Sequence, residues 1–539
     1  MAEKPIVLGI DLGTTNTCVA YVRNKIARVV PSDKGALILP SVVAMSDKGE
    51  LLVGNVAKDQ MVVNPRNSIY GAKRLIGRKF NSKVVQDIKH YFTYEIVEGS
   101  EGEAAVMLAG KVYSMPQISA FVLQHCKRVA EATLAQEIRE AVISVPAYYN
   151  DNQRQAVKEA GRLAGFEVKR IVNEPTAAAL AYGLNRGFDH KVLVYDLGGG
   201  TFDVSVLQLH GNVMEVLATG GDTFLGGVDF DNRIIDFVIE EFREQTKMDL
   251  TDSPIAMQRI KNASEAAKID LSLLSNVVIE LPYISERRGK PVDLRIPLSR
   301  ERLNTLVMDL VDKTFELVDK VLGEKNIPPT DIAEVLLVGG QTRMPLVQGK
   351  THQHFGKPPR KGVHPDESVA LGAALLAESM SEIDSVTLVD ALSMPIGFAM
   401  PGGRFRKVIE KNTQIPAQRS FRLPPGRPGG LELDIFQGDS ERIIDNEYLG
   451  TLRFPPETAG QKVNFILDEE CLLHVTVEGM SADAQPKEVL LATRDTPDTL
   501  KAAWAEENER RRLQAEQQIA DQAESKGLLA SIRRKVFGE

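Results

Sequence analysis

Three cysteines, Cys18, Cys126 and Cys471, are scattered over 539 residues. They are too few, too far apart and odd in number for a disulfide framework, which excludes a stapled secreted scaffold and fits a reducing cytoplasm. Cys18 fits a small buried hydrophobe. No apolar run reaches the ~18 residues of a membrane-spanning helix. A basic surplus is also lacking: 65 Lys and Arg stand against 73 Asp and Glu, a net charge of −8 that gives no reason to expect nucleic-acid binding as the main task. There is no Rossmann G-x-G-x-x-G and no H-E-x-x-H. Gly349-Lys350-Thr351 carries the end of a P-loop, but Met344 stands where its first glycine belongs. Met1-Ala2-Glu3-Lys4-Pro5 leads straight into a strand, so no removable signal is expected.

What is present is ordinary globular composition, 43% hydrophobic and 26% charged, in a chain long enough for two to four domains. Its most informative stretch is Asp196-Leu197-Gly198-Gly199-Gly200-Thr201-Phe202-Asp203, entered from the apolar run Val192-Leu193-Val194-Tyr195. The run reads as a buried strand ending at an aspartate. Consecutive glycines leave backbone amides free to converge on an anion, and Thr201 adds a hydroxyl donor. A carboxylate beside a phosphate cradle needs a cation between them, which suggests a Mg²⁺–nucleotide site. An isolated glycine triplet would read more simply as a hairpin turn. Repetition changes that reading.

Ile6-Val7-Leu8-Gly9-Ile10 leads into Asp11-Leu12-Gly13-Thr14-Thr15-Asn16-Thr17, again apolar strand, Asp, Leu, Gly and hydroxyls. Two such units suggest two similar halves facing across a cleft. A third buried strand, Val335-Leu336-Leu337-Val338, ends in Gly339-Gly340. Residues 1 to about 384 alternate strand and helix signals, an α/β pattern.

These motifs, together with Tyr70-Gly71-Ala72-Lys73-Arg74-Leu75-Ile76-Gly77-Arg78, Val145-Pro146-Ala147-Tyr148-Tyr149-Asn150-Asp151, Asn173-Glu174-Pro175-Thr176 and Gly221-Asp222-Thr223-Phe224-Leu225-Gly226-Gly227, resemble the seventy-kilodalton heat-shock chaperones, within the actin and sugar-kinase ATPase superfamily. The resemblance covers roughly residues 5–495. It implies a multidomain fold: an α/β actin-like (ribonuclease H-like, duplicated) ATPase domain over 1–384, a linker over 385–391, an antiparallel β-sandwich over 392–498 and a short helical tail over 499–539.

The resemblance also implies ATP or ADP with Mg²⁺, and K⁺ as a candidate companion ion. Asp11 and Asp196 are expected to hold the metal through water. Gly13, Thr14, Thr15, Asn16, Gly198, Gly199, Gly200, Thr201, Gly226 and Gly227 form the phosphate cradle. Lys73, Glu174, Asp203 and Thr201 are the candidate catalytic residues, placing water and balancing transition-state charge. By themselves Lys73 would read as a solvated cation, Glu174 as a first-turn carboxylate and Asp203 as a backbone cap. Residues 261–272 read as helix, putting Glu265, Lys268 and Ser272 on one face; the family sets that face against ribose and adenine, with Gly339, Gly340, Arg343 and Asp366 opposite. Gln341 and Val228 replace the family's usual serine and glutamate.

Ser385-Val386-Thr387-Leu388-Val389-Asp390 matches the family's docking linker, less rich in leucine than usual, and Pro146, Arg154, Leu388 and Asp390 match its relay to the cleft. Arg170, Asn173 and Thr176 match the surface for J-domain co-chaperones; a nucleotide-exchange factor is the other implied partner. From Leu392 to about Thr493, period-two alternation between Gly/Pro turns gives an antiparallel sandwich. By resemblance Leu431, Leu433 and Ile435 line a pocket for an extended apolar peptide, with Phe398 and Pro401 near the arch above it. The charged tail, carrying the only tryptophan, Trp504, is far shorter than a family lid. An ATP-driven chaperone for unfolded clients is therefore expected. The alternatives are a nucleotide-switched scaffold for one partner, separable by client breadth, and a sugar kinase, in which the sandwich has no place.

Overall fold

The computed structural model describes residues 5–32, 35–183, 189–380, 387–424 and 430–478, the short strand Lys487–Glu488, and Arg510. The helical tail expected at 499–539 and the first linker residues Ser385 and Val386 lie outside the described residues. The first sheet runs, in spatial order, Glu167–Asn173, Glu140–Val145, Val7–Leu12, Asn16–Arg23, Ile26–Val29, with Leu39–Pro40 attached to the fourth. Val7–Leu12 is parallel to Glu140–Val145 and forms a hairpin with Asn16–Arg23. A second sheet repeats this plan: Ile332–Val338 lies parallel to Asp189–Leu197, which forms a hairpin with Phe202–His210, followed by Val213–Asp222. The near-continuous apolar strands are covered by helices on their faces, as the α/β pattern requires.

Two alanine-rich helices join the halves. Glu174–Ala181 and Ser368–Ser379 touch backbone to backbone, because a Cβ on Gly372 would sit 1.7 Å from the Ala177 carbonyl oxygen. The second helix also lies on the first sheet, where a Cβ on Gly9 would meet the Ala374 nitrogen at 2.1 Å. Small residues permit this approach, and larger ones would push the halves apart.

Thr387–Ala391 extends the second sheet. It runs parallel to Val213–Asp222, with Leu388 opposite Met214, and continues into an antiparallel pair with Gln414–Ile415. Leu388 packs on the apolar cluster beneath. Beyond it, two antiparallel four-stranded sheets enclose a core that includes Ile396, Ile435, Leu452, Phe465 and Val475. In Leu431–Gln437, Leu431, Leu433 and Ile435 turn to that core, and alternation puts Phe436 on the other face, where a bulge at Leu449 in the partner strand Glu447–Phe454 sets Tyr448 opposite it. Ile435 is fully buried, Leu431 and Leu433 are half-buried, and Pro401 is exposed.

Candidate functional site

The strand–Asp–Leu–Gly units end in two hairpin turns that press together. Leu12 pairs with Thr17 and Leu197 with Phe202, leaving Gly13–Asn16 and Gly198–Thr201 as the turns. A Cβ on Gly199 would lie 2.1 Å from Thr15 Oγ1, and one on Gly200 would lie 2.6 Å from Thr14 Oγ1. The glycines are thus required by the opposite hairpin, a reason more specific than loop freedom. The helix Gly227–Thr246 starts against the same turn: the Gly227 and Val228 amides donate to the Gly198 and Gly199 carbonyls at 2.9 and 2.8 Å. Gly339 has φ +82°, and a Cβ there would sit 2.4 Å from the Leu197 oxygen, so the third turn also needs glycine.

Around these turns lies a cavity of about 300 Å³. Its wall includes Asp11, Gly13, Thr14, Thr15, Asn16, Lys73, Glu174, Asp196, Gly198, Gly199, Thr201, Gly227, Glu265, Lys268, Gly339, Gly340, Arg343 and Asp366. Gly200, Gly226, Asp203 and Ser272 are not in that wall. Gly200 and Gly226 pack behind it, a Cβ on Gly226 falling 2.5 Å from the Gly200 nitrogen. Asp203 accepts the Tyr148 amide at 3.1 Å from a buried position. For Ser272 the expectation of a helix through 272 is corrected. The helix Pro254–Asp270 stops short because Arg300 caps the chain, its Nε donating to the Leu271 carbonyl at 2.7 Å and its other arm to Leu274 at 2.8 Å. The Ser272 hydroxyl turns back to the Lys268 carbonyl at 3.5 Å.

Lys73 faces the carboxylates at the cavity's base. Lys73 Nζ lies 2.5 Å from Glu174 Oε1, both nearly inaccessible to water. Burial pulls the ammonium down, but Glu174 and its neighbours more than reverse this and hold Lys73 above its ordinary value, so it stays charged. Burial, then Glu174, pushes the Asp11 carboxyl up to about 7 and Asp203 up to about 8. The same two causes, in the same order, raise Asp196 well above the usual carboxylate range. The site therefore holds surplus negative charge that a hard cation would relieve. Among the described residues no group of three or more His, Cys, Asp or Glu could itself hold a metal, so an ion here would draw most of its ligands from water and substrate oxygens.

The chain matches the family model described as Hsp70 protein over residues 7–536. It belongs to the Hsp70 family. It is 44% identical over 502 residues to the Chaperone protein DnaK of Buchnera aphidicola subsp. Schizaphis graminum, covering 90% of this chain and 78% of that relative. Among the described residues of this Hsp70-family chain, no helix is long and apolar enough to cross a membrane.

Two wall or support residues escaped sequence reasoning. Asp231 sits 2.9 Å from Lys268 Nζ, which also donates to the Gly227 carbonyl at 2.8 Å, so the lysine ties the helices Gly227–Thr246 and Pro254–Asp270 together at the cavity wall. Its position in the first turns of a helix after two glycines was the available signal. Ser144, at the end of Glu140–Val145, donates to Asp11 Oδ1 at 3.3 Å; nothing in its sequence context marks it.

Arg154 and Asp390, two of the residues matched to the family's relay, meet Asn173 and Thr176 beside Glu174. Arg154 donates to Asn173 Oδ1 at 2.7 Å and to the Ala147 carbonyl at 3.1 Å. Thr176 donates to Asp390 Oδ2 at 3.3 Å, and Asn173 also hydrogen-bonds Asp390. Pro146 accepts the Tyr149 amide at 3.2 Å. Arg170 lies 3.5 Å from Glu469 of the sandwich.

Proposed function

We propose that this chain is an ATP-driven chaperone whose nucleotide cleft controls the grip of the β-sandwich on extended apolar segments of client proteins. The division into ATPase domain 1–384, linker 385–391, client-binding sandwich 392–498 and tail 499–539 belongs to the same reading. The carrying observation is one helical turn. Glu174 faces Lys73 in the cleft, while its neighbours Asn173 and Thr176 hold Asp390 of the linker strand. A shift of the cleft carboxylate must therefore be felt where the sandwich is attached, which is what coupling between two sites requires.

The two hairpin turns present amides and the hydroxyls of Thr14, Thr15 and Thr201 to the β- and γ-phosphates. Asp11 and Asp196 are suited to a hydrated Mg²⁺, which when bound would neutralise phosphate charge. Ser144 orients Asp11. Lys73 carries a permanent charge toward the γ-phosphate, and Glu174, held by it, orients the attacking water, with Asp203 behind as a second carboxylate. Glu265, Lys268, Arg343 and Asp366 are placed for the nucleoside end, with Arg343 bonded to Asp366 and its guanidinium 2.6 Å from His364 Nε2. Clients would enter near Phe398, Leu431 and Leu433, and J-domain and nucleotide-exchange partners would act on the ATPase side.

The test is single-turnover ATP hydrolysis with and without an apolar peptide, in the wild type and in Lys73→Ala. Peptide stimulation that disappears in the variant supports the reading. Hydrolysis indifferent to peptide moves the assignment to a nucleotide-switched scaffold.

A further inference from the structure

On one side the sandwich ends in two edge strands, Arg404–Ile409 of the first sheet and Ala417–Arg422 of the second. Together they carry Arg404, Arg406, Lys407, Arg419 and Arg422 and no carboxylate. Pairing decides which of these face inward, because side chains alternate between faces. Arg406 lies opposite Phe398, which lies opposite the core residue Ile435, and Arg404 lies opposite Met400 in the same orientation. In the other sheet Arg419 lies opposite Phe465, which belongs to the same core. Three arginines thus occupy rows that the inner strands fill with apolar side chains, and all three are exposed.

They surround an apolar floor. The Arg406 guanidinium stands 5.8 Å from the Phe398 ring centroid, and Phe398 meets Phe421 of the opposite sheet with centroids 6.0 Å apart. Leu431 and Leu433 pack on the same cluster, half-buried. Among the described residues none of the three arginines pairs with a carboxylate; Arg419 donates to the adjacent Gln418 carbonyl at 3.0 Å. The acid just after the first edge strand, Glu410, lies 3.8 Å from Lys407 on the other row. Inward charges on edge strands also block edge-to-edge aggregation. One charge per edge suffices for that, whereas here the edge strands of both sheets carry inward-row guanidiniums with no carboxylate partner among the described residues.

We propose that this seam selects extended client segments whose apolar core is flanked by aspartate or glutamate, with Arg404, Arg406 and Arg419 as specificity-determining residues. This rests on the reading of the sandwich as the client-binding module. An extended segment advances about 3.3 Å per residue, so a carboxylate one or two positions from a side chain on the Phe398–Leu433 floor comes within reach of a guanidinium. Charge-assisted, bidentate bonds favour arginine for that contact.

The test uses the full chain and three fluorescent peptides sharing one leucine-rich core, flanked by Glu, by Lys or by Ser, with affinity read by anisotropy. The Glu-flanked peptide should bind about tenfold tighter than the Lys-flanked one at low ionic strength, as two or three exposed ion pairs allow, and the ratio should shrink with salt. In Arg404→Gln/Arg406→Gln/Arg419→Gln the ratio should fall to about one, while the Ser-flanked peptide binds within about twofold of wild type. Equal binding or a preference for Lys in the wild type overturns this inference alone, leaving the arginines as guards of the edges. Binding of none of the three overturns the client-binding reading together with it.

Discussion

Arg78 and Glu447, separated by 369 positions, meet at 2.6 Å and join the first half of the α/β region to the sandwich. The same guanidinium donates to Thr223 Oγ1 at 2.8 Å and lies 4.5 Å from the Phe224 ring centroid, on the segment that leads into Gly226 and Gly227. One side chain, 4% exposed, therefore touches both halves of the cleft and the sandwich. Glu447→Gln should leave a buried cation short of its partner and weaken docking by roughly 1–2 kcal/mol, or about tenfold in the docking equilibrium. Energy transfer between dyes on the α/β region and the sandwich measures this. An unchanged docked fraction would show that the pair is incidental.

Lys73→Ala removes the cation that pairs with Glu174 in the base of the cleft. Single-turnover hydrolysis should fall by about 10²–10³, the usual scale for losing a preorganised electrostatic partner, while nucleotide affinity changes only several-fold. Rapid-quench rates beside calorimetric titration separate the two.

Gly199→Ala would drive a methyl into Thr15 Oγ1, so nucleotide affinity should drop at least tenfold. Gly323, the last residue of the helix Arg300–Gly323, has nothing within 4 Å of its would-be Cβ. Gly323→Ala should leave affinity unchanged and raise stability by up to about 0.5 kcal/mol. Titration calorimetry and thermal unfolding on both variants give the contrast.

Asp151 sits where the sandwich meets the helix Asp151–Leu163: its Oδ1 accepts the Leu473 amide at 2.8 Å and its own amide donates to Gln437 at 3.1 Å. Burial pushes this carboxyl up to about 6. A docked state that holds the proton to higher pH takes up a proton on forming. Docking is therefore strongest below the ordinary value near 3.8, weakens as pH rises through 6, and is level above that. Asp390, raised chiefly by burial, acts with the same sign. Asp151→Asn keeps an acceptor for Leu473 and should flatten the dependence, raising the docked fraction at pH 7.5, which small-angle scattering across a pH series would record.

The hairpin turns were legible because their chemistry is local: an apolar run, an aspartate, then glycines and hydroxyls within a few residues. The sandwich strands were legible for the same reason, since Leu431–Gln437 and Leu473–Val477 alternate with period two. Less legible was the end of the helix at Asp270, because the stop signal is Arg300, far along the chain. Asp231 and Ser144 were missed because an acid in an early helical turn and a serine ending a strand are common where no site exists.

By itself the sequence determined which segments become strand, turn and helix, and which family they belong to, because periodicity and turn residues act over a handful of positions. Only the tertiary structure decided what meets across the cleft: Thr15 filling the space beside Gly199, Lys73 paired with Glu174, Arg78 reaching Glu447, and three arginines walling one seam of the sandwich. Those contacts join residues up to hundreds of positions apart. They depend on how packed sheets and helices bring distant side chains into contact, within about 4 Å, a proximity that no local pattern encodes.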